Sequence, residues 1–207
     1  MEWIPSTLLP LCAYLRSCFG RCTGISFLDS TSLKVCHNRR IHQHKVFKNL
    51  VARGKTSVDW FFGFKLHLVV NDQGELLNFT LTPGNIDDRK PVPNLLQRLI
   101  GKVFADNCYV SQKLAQQLLQ TTGVQLITKL RRNMKQRLMA LSNRLMLRKR
   151  AIVETVIDQL KNISQIEHSR HRSPVNCLVN VVCGLIAYCH QPKKPSIAID
   201  HHLLQAA

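Results

Sequence analysis

Two long β-patterned segments near the centre of the chain restrict its folding more than any other feature. Phe61–Asn71 (FFGFKLHLVVN) carries aromatic and β-branched residues in partial alternation. Asp72-Gln73-Gly74 follows as a turn, and Leu76–Thr82 (LLNFTLT) is the natural returning arm of a hairpin. A hairpin of that length is marginal alone and needs further strands or a covering layer to bury its apolar residues. Pro83-Gly84-Asn85 then breaks the chain.

The flanking segments supply that layer. Ile25–Asp29 (ISFLD) reads as a short strand ending at an aspartate, Lys102–Ala105 as a strand running into Asp106, and Val124–Thr128 as another. Pro91–Leu99 is a short helix by pattern. Ser111 suits the N-cap of a helix reaching Thr122, stopped by Gly123. From Ala151 to Ile163, Ile152, Val153, Val156, Ile157, Leu160 and Ile163 fall at helical spacing. Ser173-Pro174 reads as N-cap and first turn of a last helix through Tyr188. Its apolar run from Val175 is interrupted by Asn176 and Asn180 and falls short of the ~18 residues a membrane span needs, so it predicts a buried helix and no membrane partner. The apolar residues around Leu8–Leu15 lack a basic lead-in, which argues against a signal peptide. The order predicts an α/β fold, a mixed sheet flanked by helices, with no linker and no internal repeat.

Charge narrows the partners. The chain has 29 Lys and Arg against 12 Asp and Glu, a formal charge of +17. That favours polyanions, nucleic acid above all, although basic membrane-surface and ribosome-associated proteins share the balance. Two runs hold no acidic residue. One, from Lys129 to Arg150, includes Lys129, Arg131, Arg132, Lys135, Arg137, Arg144, Arg148, Lys149 and Arg150. The other, from Lys34 to Lys55, includes Arg39, Arg40, Lys45, Lys48 and Arg53. Flanking acidic motifs, they predict a DNA-facing surface. The eight cysteines show no Cys-x-x-Cys spacing; Cys177, Cys183 and Cys189 sit among apolar residues, which predicts reduced thiols in a cytosolic protein.

Three acidic residues stand out by position: Asp29 and Asp106 at strand ends, and Glu154 near the start of the amphipathic helix. Carboxylates so placed can converge on one sheet edge and offer the oxygen ligands that hard divalent cations require. Each has a plainer reading, as a turn or cap residue, or in an ordinary charged helix face with Arg150 and Asp158. Asp158 is an alternative ligand from the same helix. Taken alone, the residues describe a basic α/β protein with a candidate metal site.

The strings GISFLDSTSLKVCHNRRI, FFGFKLHLVVNDQGEL, LTPGNIDDR, FADNCYVSQKL, GVQLITKLRRNMK and LRKRAIVETVIDQLKNISQIEHSRHRS, in that order, resemble those of bacterial insertion-sequence transposases of the DDE type. The resemblance implies a ribonuclease H-like fold over residues 24–196, with Asp29, Asp106 and Glu154 as the catalytic and metal-binding triad at one sheet edge. It implies two Mg²⁺ (or Mn²⁺) ions and two successive phosphoryl transfers. Water attacks at the end of the element, and the freed 3′-hydroxyl then attacks target DNA. Its partners would be element ends and target DNA, with a homo-oligomer at synapsis, in a bacterial cytoplasm beside the nucleoid. Arg148, Lys149 and Arg150 are placed to meet phosphates, with Arg39, Arg40, Lys129, Arg131 and Arg132 as further DNA-binding candidates; His37 and Lys65 are weaker ones.

Two departures qualify this expectation. After the second aspartate the family commonly has Arg or Lys, then Gly or Ala, then Tyr; here Asn107-Cys108-Tyr109 stands, so Cys108 is expected to strain the loop or crowd the metal site. The chain also begins shortly before the first catalytic strand, so residues 1–23 read as the remnant of an N-terminal helical region and 197–207 as a tail. The main alternative is therefore a truncated, inactive remnant that binds DNA without cutting it. Two further alternatives are another ribonuclease H-like nuclease, and a zinc-dependent nucleic-acid binder using Cys18 and Cys22, or Cys36 with His37, His42 and His44, at poor zinc-finger spacing.

Overall fold

The computed structural model describes residues 4–56, 58–129, 139–167 and 171–198. The hairpin is present as strands β3 (Trp60–Asn71) and β4 (Leu76–Pro83) of a six-stranded sheet that also contains β1 (Ile25–Cys36), β2 (Ala52–Lys55), β5 (Lys102–Ala105) and β6 (Gln125–Thr128). β1 lies antiparallel along one edge of β3. On the other edge of β3, β2 pairs with Trp60–Gly63 and β4 with Phe64–Val70. The free edge of β1 takes β5 in parallel, and β5 takes β6 in parallel. The sheet is thus antiparallel on one side of β1 and parallel on the other.

Strand alternation divides the core between two faces. Ile25, Phe27 and Leu33 of β1, Leu66, Leu68 and Val70 of β3, and Phe104 of β5 point to one face. They meet the helices α1 (Ile4–Ser17), α4 (Leu141–Lys149), α5 (Ala151–Asn162) and α6 (Pro174–Cys189). Leu28, Val69, Val103 and Ala105 point to the opposite face, against α2 (Val92–Leu96) and α3 (Gln112–Thr122). Helix α3 begins as expected: Ser111 Oγ accepts from the Leu114 amide at 3.2 Å. It ends at Gly123, whose φ of 72° suits a residue without a Cβ. The Tyr188 hydroxyl, at the end of α6, donates to the Gly74 carbonyl at 2.6 Å and fastens that helix to the hairpin turn.

Several boundaries differ from the sequence reading. The first strand does not stop at Asp29 but continues to Cys36, because β3 goes on pairing with it after β5 has ended. The helix expected over Pro91–Leu99 spans Val92–Leu96. Strand β2 and helix α4 arise inside the two basic runs, where charge hid their patterns. None of the eight cysteines forms a disulfide, and Cys183 is exposed rather than embedded in the apolar helix face. No helix among the described residues is long and apolar enough to cross a membrane.

One polar residue is buried deep in the hairpin. His67 shares a 2.9 Å hydrogen bond with Thr82 Oγ1, while its Nδ1 has no partner. Burial lowers its pKa to about 4, opposed by Asp88 and assisted by Lys65. As pH falls below the ordinary histidine value of ~6.5, the unfolded chain takes up a proton that the folded chain refuses. Urea unfolding should therefore lose on the order of 3 kcal/mol from this residue between pH 6.5 and 4. His67→Gln should flatten that window by about one proton. Identical slopes in the two proteins would remove His67 as the titrating group.

Candidate active site

The register of the parallel pairing places two carboxylates side by side. The β1–β5 ladder ends at Leu28 opposite Ala105, so Asp29 and Asp106 are the next residue on each chain. Alternation fixes their direction: Asp29 follows Phe27 and Asp106 follows Phe104, both of which face the α5 side of the sheet. Helix α5 packs on that face through Ile152, Val153, Val156 and Leu160, and Glu154 stands on its exposed side in the first turn.

The three carboxylates converge on the guanidinium of Arg150. Its Nη1 lies 2.8 Å from Asp29 Oδ2, and its Nη2 lies 2.6 Å from Glu154 Oε1 and 3.8 Å from Asp106 Oδ1. Side-chain exposure rises from 8% at Arg150 through 17% at Asp29 and 35% at Asp106 to 55% at Glu154, so the cluster is open on one side only. Arg150 closes α4 and opens α5 with helical φ and ψ, so its side chain is held at the helix junction. Burial raises the pKa of Asp29, opposed by Arg150 and by the Ser30 amide, which donates to Oδ1 at 2.8 Å. Burial also works against the charge of Arg150, and Asp29, Asp106 and Glu154 outweigh it.

The position of Arg150 was not legible from its neighbours in sequence. It was grouped with Arg148 and Lys149 as a phosphate contact, yet it is buried and engaged by carboxylates, while those two are exposed. Lys129 is exposed one residue past the β5–β6 ladder, next in register to Asp106. Arg39 and Arg40 are exposed on a short 3₁₀ turn after β1, where His37 accepts from the Arg39 amide. Arg131 and Arg132 lie outside the described residues. Asp158, the alternative to Glu154, accepts instead from Asn162 one turn along α5.

Cys108 does not strain its loop. Residues Asn107–Tyr109 form a 3₁₀ turn, and the described non-glycine residues at positive φ are Asn49 and Gln165. Its thiol does stand near the acidic cluster: its pKa is pushed up to about 12 by burial first, then by Asp88, Asp29 and Asp106. Sequence reasoning also passed over Asp88, in the LTPGNIDDR string. It pairs with Lys65 at 3.0 Å and accepts from Ser30 Oγ at 3.2 Å, on the opposite side of β1 from Asp29. Its place in the LTPGNIDDR string was the available signal, and its loop position concealed it.

The donor set suits a hard divalent cation, being three carboxylates directed at one positive charge. Among the described residues no three His, Cys, Asp or Glu side chains are close enough to hold a metal ion.

A family model described as "Transposase DDE domain" matches residues 19–174. No curated protein matches the sequence. Among solved structures, the piggyBac transposase in a synaptic complex with hairpin DNA, determined by cryo-EM, is similar at a TM-score of 0.56 and 11% identity. That likeness covers 89% of this chain and 51% of the other, so the chain spans about half the length of the structure it resembles.

Replacing Arg150 by Met leaves Asp29 buried without its counter-ion, which should cost ~3 kcal/mol in urea unfolding at pH 7. The deficit should shrink as pH falls towards 4, because a protonated Asp29 needs no cation. A deficit independent of pH would mean that Arg150 stabilises the fold by packing alone.

Proposed function

The chain belongs to the transposase DDE domain family, and from that premise we propose that it cuts and joins DNA strands, with Asp29, Asp106 and Glu154 as the catalytic carboxylates. One observation carries this reading: the end of the β1–β5 ladder and a covering helix bring three carboxylates to one buried positive charge. The sheet, with β3, β1, β5 and β6 in that order and helices on both faces, is consistent with a ribonuclease H-like fold.

Asp29, Asp106 and Glu154 are the residues that would hold Mg²⁺ or Mn²⁺. Two such ions, when bound, would polarise the phosphodiester and favour the ionised form of the attacking oxygen. The protein's own groups do the rest. Arg150 keeps the carboxylates together until other positive charge arrives, and its fork-shaped guanidinium can exchange a carboxylate for a phosphate. Arg148, Lys149 and Lys129, each next to a residue of the cluster in sequence or register, would neutralise backbone phosphates, and Arg39 and Arg40 would add positive charge on the turn after β1. No side chain forms a bond to DNA in this reading, because water and then a 3′-hydroxyl are the nucleophiles. The substrate would be the ends of an insertion sequence and a target duplex, brought together by more than one copy of the chain.

A second reading is favoured by the same guanidinium. If Arg150 stays between the carboxylates, the domain holds DNA without cutting it. Nicking of supercoiled plasmid with Mg²⁺ or Mn²⁺, against EDTA and beside Glu154→Gln, separates the two. Catalysis predicts metal-dependent nicking that falls by more than about 100-fold in the variant, with salt-sensitive DNA binding retained. Binding without nicking in the wild type would favour the second reading.

A further inference from the structure

Beyond Leu28, β3 is the one neighbour strand of β1 among the described residues. The β1–β5 ladder ends at Leu28 and Ala105, whereas the pairing with β3 runs on through Asp29↔Leu68, Ser30↔His67 and Ser32↔Lys65. Asp29 is the first residue of this stretch. Its carboxylate is held at both oxygens, Oδ2 by Arg150 at 2.8 Å and Oδ1 by the Ser30 amide, also at 2.8 Å. Of these two holds, the Ser30 amide belongs to the strand itself.

On the opposite face of β1, Ser30 is fastened to the loop that follows β4. Its Oγ donates to Asp88 Oδ1 at 3.2 Å, and the same oxygen takes the Lys65 ammonium at 3.0 Å. Lys65 also donates to the Ile86 carbonyl at 2.9 Å, so one ammonium joins β3 to two residues of the loop. The base of the loop lies close against the sheet. The Gly84 amide donates to the Gly63 carbonyl at 2.9 Å, and a Cβ at Gly84 would lie 2.7 Å from the Ala52 carbonyl oxygen. The side chains of Asp88 and Lys65 are 20% and 14% exposed, so their contact is largely shielded from water. After burial, Asp88 is the group that raises the Cys108 pKa most, and it opposes burial in setting that of His67.

We propose that Asp88 is a positioning residue for Asp29: through Ser30 Oγ it fixes the stretch of β1 whose amide at Ser30 orients the Asp29 carboxylate. This rests on the reading of Asp29 as a metal-holding carboxylate. The hydrogen-bond partners of a metal ligand set its direction and basicity, and their loss commonly lowers metal affinity by about 10- to 100-fold. Asp88 lies across β1 from the acidic cluster and acts on it through the strand.

Two measurements test this. In amide NMR of the metal-free protein, Asp88→Ala should move the Ser30 proton upfield as its bond to Asp29 Oδ1 weakens. Asp88→Asn, which keeps an oxygen for Ser30 Oγ, should restore most of the shift. In plasmid nicking, the Mn²⁺ concentration for half-maximal rate should rise about tenfold in Asp88→Ala and in Ser30→Ala. It should rise no further in the double variant, because both substitutions remove the same link. Ser30→Ala removes one hydroxyl and carries the Mn²⁺ expectation by itself if Asp88→Ala fails to fold. An unmoved Ser30 resonance or an unchanged Mn²⁺ requirement in these variants, or losses that add in the double variant, would overturn the proposal and spare the catalytic reading. Wild-type protein that fails to nick would overturn both.

Discussion

A single guanidinium decides whether the carboxylate edge can exist. Asp29 and Asp106 are next-door residues on parallel strands, and Glu154 descends on them from α5. Three like charges in one half-buried space repel one another and resist desolvation. Arg150 answers both problems by placing its charge among them, at a helix junction that leaves it little freedom. Apolar packing of α5 on the sheet brings Glu154 beside the two aspartates, and Arg150 offsets the repulsion that results. Its own Nε is buried without a partner, so the arrangement is not a fully satisfied structural network.

Consecutive residues of β1 serve different chemistry on the two faces of the sheet. Asp29 turns towards α5 and the acidic cluster, and Ser30 turns towards Asp88 and Lys65. The spacing of one residue makes the two sites electrostatic neighbours, and the thiol of Cys108 registers carboxylates from both.

Much of this was legible in the sequence. The hairpin, the short strand running into Asp106 and the Ser111 to Gly123 helix follow from local patterns that the tertiary structure leaves undisturbed. The strand extension beyond Asp29 did not, because Asp29-Ser30-Thr31-Ser32 is polar and acquires its strand geometry from β3 across the sheet. Basic composition concealed β2 and α4, whose few apolar residues are enough to pack but too few to give a clear period. The three carboxylates could be singled out from their local positions and the motif strings. The role of Arg150 could not, since nothing in Arg148-Lys149-Arg150 distinguishes the one residue whose rotation at a helix junction turns it inward.

The parallel pairing of β1 with β5 also governs when the site can come into being. Residues 25–28 meet 102–105 across more than 70 intervening positions, whereas β3 and β4 meet across a tight turn. Local contacts form early and distant ones late, since loop closure must precede any gain from the pairing. A nascent or partly folded chain can thus possess its hairpin and basic surface while its acidic residues are still scattered. The basic runs are continuous in sequence, so their charge is present in the chain before the three carboxylates are brought together.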